Sequence, residues 1–289
     1  MIASNRWGVL TRPWRRAAAL AAVLAAVPVV AVGVGAAPAQ ALGQRVNLRV
    51  LVVTNGDSAS LAIATELDRE GVPYTQVDLR TAGRPAITAA FLADAASGTG
   101  RYQAVVLPNQ AGGGLSAAEV AALTAYETQY GVRQVNGYDF PTTTMGAVFS
   151  GVSGTLDGSP AAVTAAGLAG AFGYLRGPLT IEDVDPAVPE TFGYLANADP
   201  ALTAGRTFTP LVTATYQGST GSILGAYTHD GREELVVTAA FNAYMQWFDT
   251  LAPGIVAWAT RGIELGYHRN YFTVHVDDVF LPDSRWSAS

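Results

Sequence analysis

Leu48-Arg49-Val50-Leu51-Val52-Val53-Thr54, followed by Asn55-Gly56-Asp57-Ser58, is the stretch on which the fold turns. A continuous apolar, β-branched run suits a strand covered on both faces, as in a parallel sheet. The polar tetrapeptide then turns the chain into a helix over 59–70, with Leu61, Ala64 and Leu67 as its apolar stripe and Gly71 as its stop. The pattern recurs downstream. Tyr74–Leu79 forms a second strand, a helical stretch is expected around 86–97, and Tyr102–Leu107 forms a third strand. Ser116-Ala117-Ala118-Glu119 is a capping box that opens a helix to about Tyr130, and Val132–Val135 is a fourth strand. Strands alternating with helices predict an α/β domain of doubly wound type, spanning about 46–265.

Ligands of such sheets sit at the carboxyl ends of the strands. Here those ends are Thr54-Asn55-Gly56-Asp57, Pro108-Asn109-Gln110 and Asn136-Gly137-Tyr138-Asp139. They are polar and carry glycine, but they lack a nucleophile and a G-x-G-x-x-G phosphate fingerprint. The layout resembles flavodoxin-like or class I glutamine-amidotransferase-like domains, with a parallel sheet. Amidotransferase chemistry itself is excluded, because the chain has no cysteine.

A Gly/Ala/Pro-rich insertion occupies about 142–206, within which Ala161–Ala171 suits either a short strand or a short helix. Asp183-Val184-Asp185-Pro186, with Glu182 and Glu190, is expected to form a solvated acidic loop, since no D-x-D-x-D-G spacing supports calcium. Thr207–Tyr216, Ser222–Tyr227 and Glu234–Phe241 alternate as strands, with Thr228–Arg232 as a hairpin turn that extends or flanks the first sheet. His229 beside that turn is expected to be exposed and inert. Tyr244, Trp247 and Phe248 could stack on a sugar ring. They precede a helix expected from about Pro253 to Glu264, so a core role for Trp247 and Trp258 is favoured.

The amino terminus has a different character. Arg6, Arg12, Arg15 and Arg16 precede an apolar run from Ala17 to about Val34, then Ala39-Gln40-Ala41. This is the pattern of a cleaved secretory signal peptide over 1–41, and Pro28, Gly33 and Gly35 make the run a poor permanent span. A secreted product, free or held at the cell wall, is therefore expected, with no stable membrane insertion. Cleavage removes four arginines and takes the formal charge from −6 to about −10. So acidic a surface argues against nucleic acid. All 17 basic residues are arginine, which excludes Schiff-base chemistry and a Walker lysine.

The run Asn270–Phe280 ends with adjacent aspartates, Asp277 and Asp278. Paired carboxylates suit a metal-dependent hydrolase, in which one binds the cation and the other takes a proton from water. The alternative is a plain strand end before the Leu281-Pro282-Asp283 turn. T-V-H-V-D-D-V-F-L, residues 273–281, resembles the first motif of NodB-type polysaccharide deacetylases. With the export signal and the amidotransferase-like layout, the chain is most similar to the galactosaminogalactan deacetylase group of that superfamily. That resemblance implies Asp277 as the general base and Asp278 as a ligand of a divalent metal, commonly zinc. It also implies an N-acetylated exopolysaccharide or cell-wall glycan as partner.

The family's second motif, H-S/T-x-x-H, has no counterpart, since the only histidines are His229, His268 and His275. Residues 268–289 are thus expected to be the first strand of a truncated (β/α) barrel. The chain would be the amino-terminal part of a secreted deacetylase, inactive alone. The alternative is a free-standing secreted α/β module that binds carbohydrate or protein. A hydrolase at the edge of the first sheet finds no Ser-His-Asp or G-x-S-x-G pattern.

Overall fold

The computed structural model describes residues 45–182 and 188–266. Strand β1 (Val50–Thr54) is buried along its whole length. Its alternate side chains enter two cores: Val50 and Val52 face one, Leu51 and Val53 the other. That is why the run carries no polar alternation. Helix α1 (Ser58–Glu70) begins where Asp57 accepts a hydrogen bond from the Ser60 N–H at 2.7 Å, and ends at left-handed Gly71, φ 68°.

Strands β2 (Tyr74–Asp78) and β3 (Ala104–Leu107) flank β1 in parallel. Helix α2 (Ala117–Tyr130) opens with the expected capping box and leads to β4 (Arg133–Asn136), parallel to β3. Glu119 of that box also accepts from Arg84 through both guanidinium nitrogens, at 2.6 and 3.1 Å, and from the Ile87 N–H at 3.1 Å.

The helix expected over 86–97 is only the single turn Ala89–Leu92. The chain then turns on Asp94, which accepts from the Ala96 N–H and the Ser97 hydroxyl. Ala93–Asp94 pairs with Thr99–Gly100, and Thr99–Gly100 pairs with Arg45–Val46, making a small separate sheet. Asp turns of this kind compete directly with helix propagation.

The remaining strands are β5 (Ala147–Thr155), β6 (Pro160–Val163), β7 (Leu179–Thr180), β8 (Phe192–Ala198), β9 (Thr207–Tyr216), β10 (Ser219–His229) and β11 (Arg232–Val237). The main sheet runs β7-β6-β9-β10-β11-β4-β3-β1-β2, with β8 against β10 and β5 against β8. Strand β11 joins the halves, antiparallel to β10 and parallel to β4. The expected parallel sheet with a flanking hairpin is therefore one half of a mixed, eleven-stranded sheet.

Two tight turns drive the antiparallel half. Gln217-Gly218 and Asp230-Gly231 hold positive φ at both positions, 49° and 76°, then 46° and 76°. Such turns match the twist of paired strands. Glycines hid part of this sheet: Gly151 and Gly154 interrupt the alternation of β5, and a Cβ on Gly154 would strike the Tyr216 ring. Ala161–Ala171 is both of the expected things, the end of β6 and then a short helix, Ala165–Ala169.

Helix α3 (Gln246–Ala259) starts before Pro253 and encloses it, whereas the sequence suggested a helix from Pro253 onward. Trp247, Phe248, Leu251, Ile255 and Trp258 bury its inner face beside α1. Its amino terminus is capped from a distance, because the Gln246 N–H donates to the Glu182 carboxylate. Glu182 is thus buried, 3% exposed, and not part of a solvated loop. Asp183 and Asp185 lie outside the described residues. Among the described residues, no helix is long and apolar enough to cross a membrane.

Candidate functional site

Asp277 and Asp278, with His268 and His275, lie outside the described residues, as do the expected Asn270–Phe280 strand and the 1–41 signal segment. Among the described residues, no group of three or more His, Asp or Glu side chains could hold a metal. The carboxyl ends of the parallel strands are described in full.

After β1, Asn55 Nδ2 donates to the Gly113 carbonyl at 2.9 Å, and the Gly113 N–H donates to Asn109 Oδ1 at 3.0 Å. Gly112, Gly113 and Gly114 all hold positive φ, and a Cβ on Gly113 would overlap Pro108. The acids of the first two loops are spent locally. Asp57 caps α1, and Asp78 grips Arg80 with two hydrogen bonds of 3.0 and 2.7 Å.

Asp139, after β4, is differently placed. Its backbone N–H donates to the Val237 carbonyl at 2.9 Å, and its Oδ2 accepts from the Gln110 N–H at 2.8 Å. Burial pushes its carboxyl up to about 6; the Gln110 N–H opposes this and the charge of Glu234 adds to it. Gln110 in turn bonds Thr144 through both ends of its amide, at 2.8 and 2.7 Å.

Tyr138 and Phe140, on either side of Asp139, meet rings from β5 and β8. Tyr138 lies stacked on Tyr194 at 6.1 Å. Phe140 meets the edge of Tyr194 at 4.9 Å and tilts against Phe149 at 5.3 Å. Phe192 completes the group, 5.3 Å from Tyr194. Phe140 is 49% and Phe192 44% exposed, so an aromatic facet opens to solvent beside the carboxyl edge. Of these rings the sequence points only to Tyr138, as part of the strand end Asn136-Gly137-Tyr138-Asp139. The available signal was Phe192 and Tyr194 two apart on one strand, which places both on one face.

Behind the edge lies a buried polar chain. Arg232 bridges Glu127 at 2.6 Å and Glu234 at 2.9 Å. Asn136 donates to Glu234 at 3.1 Å. His229, expected to be exposed, is 8% exposed and stacks on Tyr227 with centroids 4.2 Å apart. Its Nε2 lies 2.9 Å from Glu234 Oε1 and its Nδ1 3.1 Å from Asp230 Oδ2. Glu127 and Glu234 are only 1% and 2% exposed, so substrate cannot reach them. The chain holds α2 against the sheet. Trp247, Phe248 and Trp258 are buried in the core as favoured, which leaves Tyr244 as the exposed member of its group.

No protein-family model matches the sequence, and no curated protein matches it. Among solved structures, the chain is similar to Agd3, described as a novel carbohydrate deacetylase. The TM-score is 0.58 at 21% identity, over 78% of this chain and 34% of that one. The chain has the mixed α/β fold of part of that enzyme. It also aligns with a cold-adapted β-galactosidase from Rahnella sp. R3 at a TM-score of 0.42 and 12% identity, over 73% of this chain and 32% of that one. That second likeness is too distant to argue from. The chain spans about a third of the length of either protein.

Proposed function

We propose that this chain is the amino-terminal α/β part of a secreted, metal-dependent deacetylase of N-acetylated amino-sugar polymers, inactive by itself. The observation that carries this is the fold shared with a carbohydrate deacetylase over 78% of the chain. The H-V-D-D sequence at 275–278 also supports it, with Asp277 read as base and Asp278 as metal ligand. A bound divalent cation, commonly zinc, would polarise the acetamide carbonyl and acidify the attacking water. The parallel strand order β2-β1-β3-β4 supports a flavodoxin-like reading of that half of the sheet. In this reading the α/β part holds polymer and the downstream residues cleave it.

The test is acetate release from an N-acetylated hexosamine polymer, with zinc supplied. The chain alone is expected to release none. The same chain joined to the coding sequence that follows it should release acetate and should lose that activity on Asp277→Asn. An extended protein that releases no acetate, or one indifferent to Asp277→Asn, would sink the proposal. The exposed aromatic facet favours one second reading, a binding module without catalysis, which would retain polymer and never release acetate.

A further inference from the structure

The aromatic facet of Phe140, Phe149, Phe192 and Tyr194 is paired with an unusual local charge. From Gly137 to Thr155 and from Val188 to Gly205, which carry these rings, the charged residues are Asp139, Glu190 and Asp199, and the turn after β5 adds Asp157. Every one is an acid, and neither stretch contains an arginine. The acids bracket the strand pair. Asp157 accepts from the Glu190 and Thr191 N–H groups at 2.7 and 2.8 Å, immediately before Phe192. The Asp199 N–H donates to the Gly146 carbonyl at 2.9 Å, beside the start of β5. Asp139 lies between Tyr138 and Phe140.

We infer that this facet binds amino sugars whose nitrogen is free and protonated, that is, the de-N-acetylated units of a hexosamine polymer. The chemistry selects that class. Aromatic faces stack on the C–H face of a pyranose ring and attract a neighbouring ammonium through the ring quadrupole. The net negative charge of the two stretches favours a cation further and disfavours acidic sugars. The location, next to the carboxyl ends of the parallel strands, is where sheets of this kind take ligands. This inference rests on the proposed function and deepens it: the α/β part would hold the product stretch of the polymer, so that the enzyme stays on a partly processed chain.

The experiment is titration of the full chain, at neutral pH where the Asp139 carboxyl is ionised, with a hexamer of glucosamine, a hexamer of galactosamine and their N-acetylated counterparts. A Phe140→Ala/Phe192→Ala double variant is titrated in parallel. Both rings are exposed, so circular dichroism should show the variant folded. The free-amine hexamers are expected to bind more tightly than the acetylated ones, and the double variant to lose about tenfold or more in affinity. Equal binding by parent and variant overturns the inference, as does no binding, or a preference for the acetylated sugars. Equal competition by oligolysine would assign the facet to basic peptides. A shift from dimer to monomer in the variant would assign it to a second copy of the chain, and either outcome overturns the inference. The proposed function fails separately. Sugar binding without acetate release from the extended protein removes the deacetylase and leaves this site standing.

Discussion

The hydroxyl of Tyr174 is inserted into the hydrogen-bond ladder of α3 at Gly254. It accepts from the Gly254 N–H at 3.1 Å and donates to the Thr250 carbonyl at 2.8 Å. Those two groups would otherwise bond each other across one helical turn. Pro253, which has no N–H, sits beside the gap. A side chain entering the ladder at a proline lets the helix bend while both backbone groups stay satisfied. Tyr174 belongs to the Gly/Ala/Pro-rich insertion over 142–206.

Tyr174→Phe should therefore destabilise the chain by about 1–2 kcal/mol, the cost of leaving one donor and one acceptor poorly paired. A urea unfolding curve should show a lower midpoint with an unchanged slope. An unchanged midpoint would mean that water replaces the hydroxyl at no cost.

Glu119→Ala should cost about 3 kcal/mol, because the carboxylate serves the Ser116 and Ile87 N–H groups and Arg84 together. The Arg84 guanidinium holds this carboxyl well below its ordinary range. Its contribution is therefore present above the unfolded carboxylate pKa and lost as pH falls. Thermal unfolding of Glu119→Ala should show a smaller loss of stability on acidification than the parent.

On the alkaline side the sign reverses. Burial pushes Glu127 up to about 7 against the pull of Arg232, and pushes Glu70 up to about 7 with help from Glu264 and Glu66. The hydrogen bond to Glu234 raises His229 above 6.5. For the two glutamates the folded state binds more protons than the unfolded one from about pH 4.5 to about 7, and for His229 the same holds only above about 6.5, so stability falls as pH climbs through these windows. Glu127→Gln should flatten this decline by up to one proton's worth. Parallel pH–stability curves for parent and variant would count against Glu127 as a source.

Gly146→Ala should be among the costlier single changes, about 2–4 kcal/mol. Its φ of 69° disfavours a side chain, and a Cβ there would lie 2.2 Å from Tyr227 Cδ2. Tyr227 is buried beneath His229, so the ring has nowhere to move. Loss of near-ultraviolet dichroism at a lowered melting temperature is the expected signature.

Much of this was legible residue by residue. The β1 run, the turn into α1, the Ser116 capping box, the Gly71 stop and the Asp230-Gly231 turn are local chemistry, and each appears where the sequence puts it. The helix expected over 86–97 stops at Leu92 because Asp94 turns the chain and Ala93–Asp94 pairs with Thr99–Gly100. His229 departs from expectation for another reason. A histidine at a hairpin turn is ordinarily wet, but Glu234 and Tyr227 draw this one inward. The aromatic facet escaped notice because its rings come from three separated segments, each unremarkable alone.

What the sequence by itself determined is the run of parallel strands β1 to β4 with α1 and α2, and the meander β9 to β11, since caps, turns and apolar periodicity act over a few residues and need no partner to be recognised. Only the tertiary structure decided how they assemble. It laid β11 parallel to β4, which merges an antiparallel half with a parallel one into a single sheet. It also buried a charged chain from Glu127 to His229 and brought Phe140, Phe149, Phe192 and Tyr194 to one surface. These outcomes depend on pairings between residues far apart in the chain. Their energies come from burial and from satisfying polar groups in three dimensions, which no local pattern encodes.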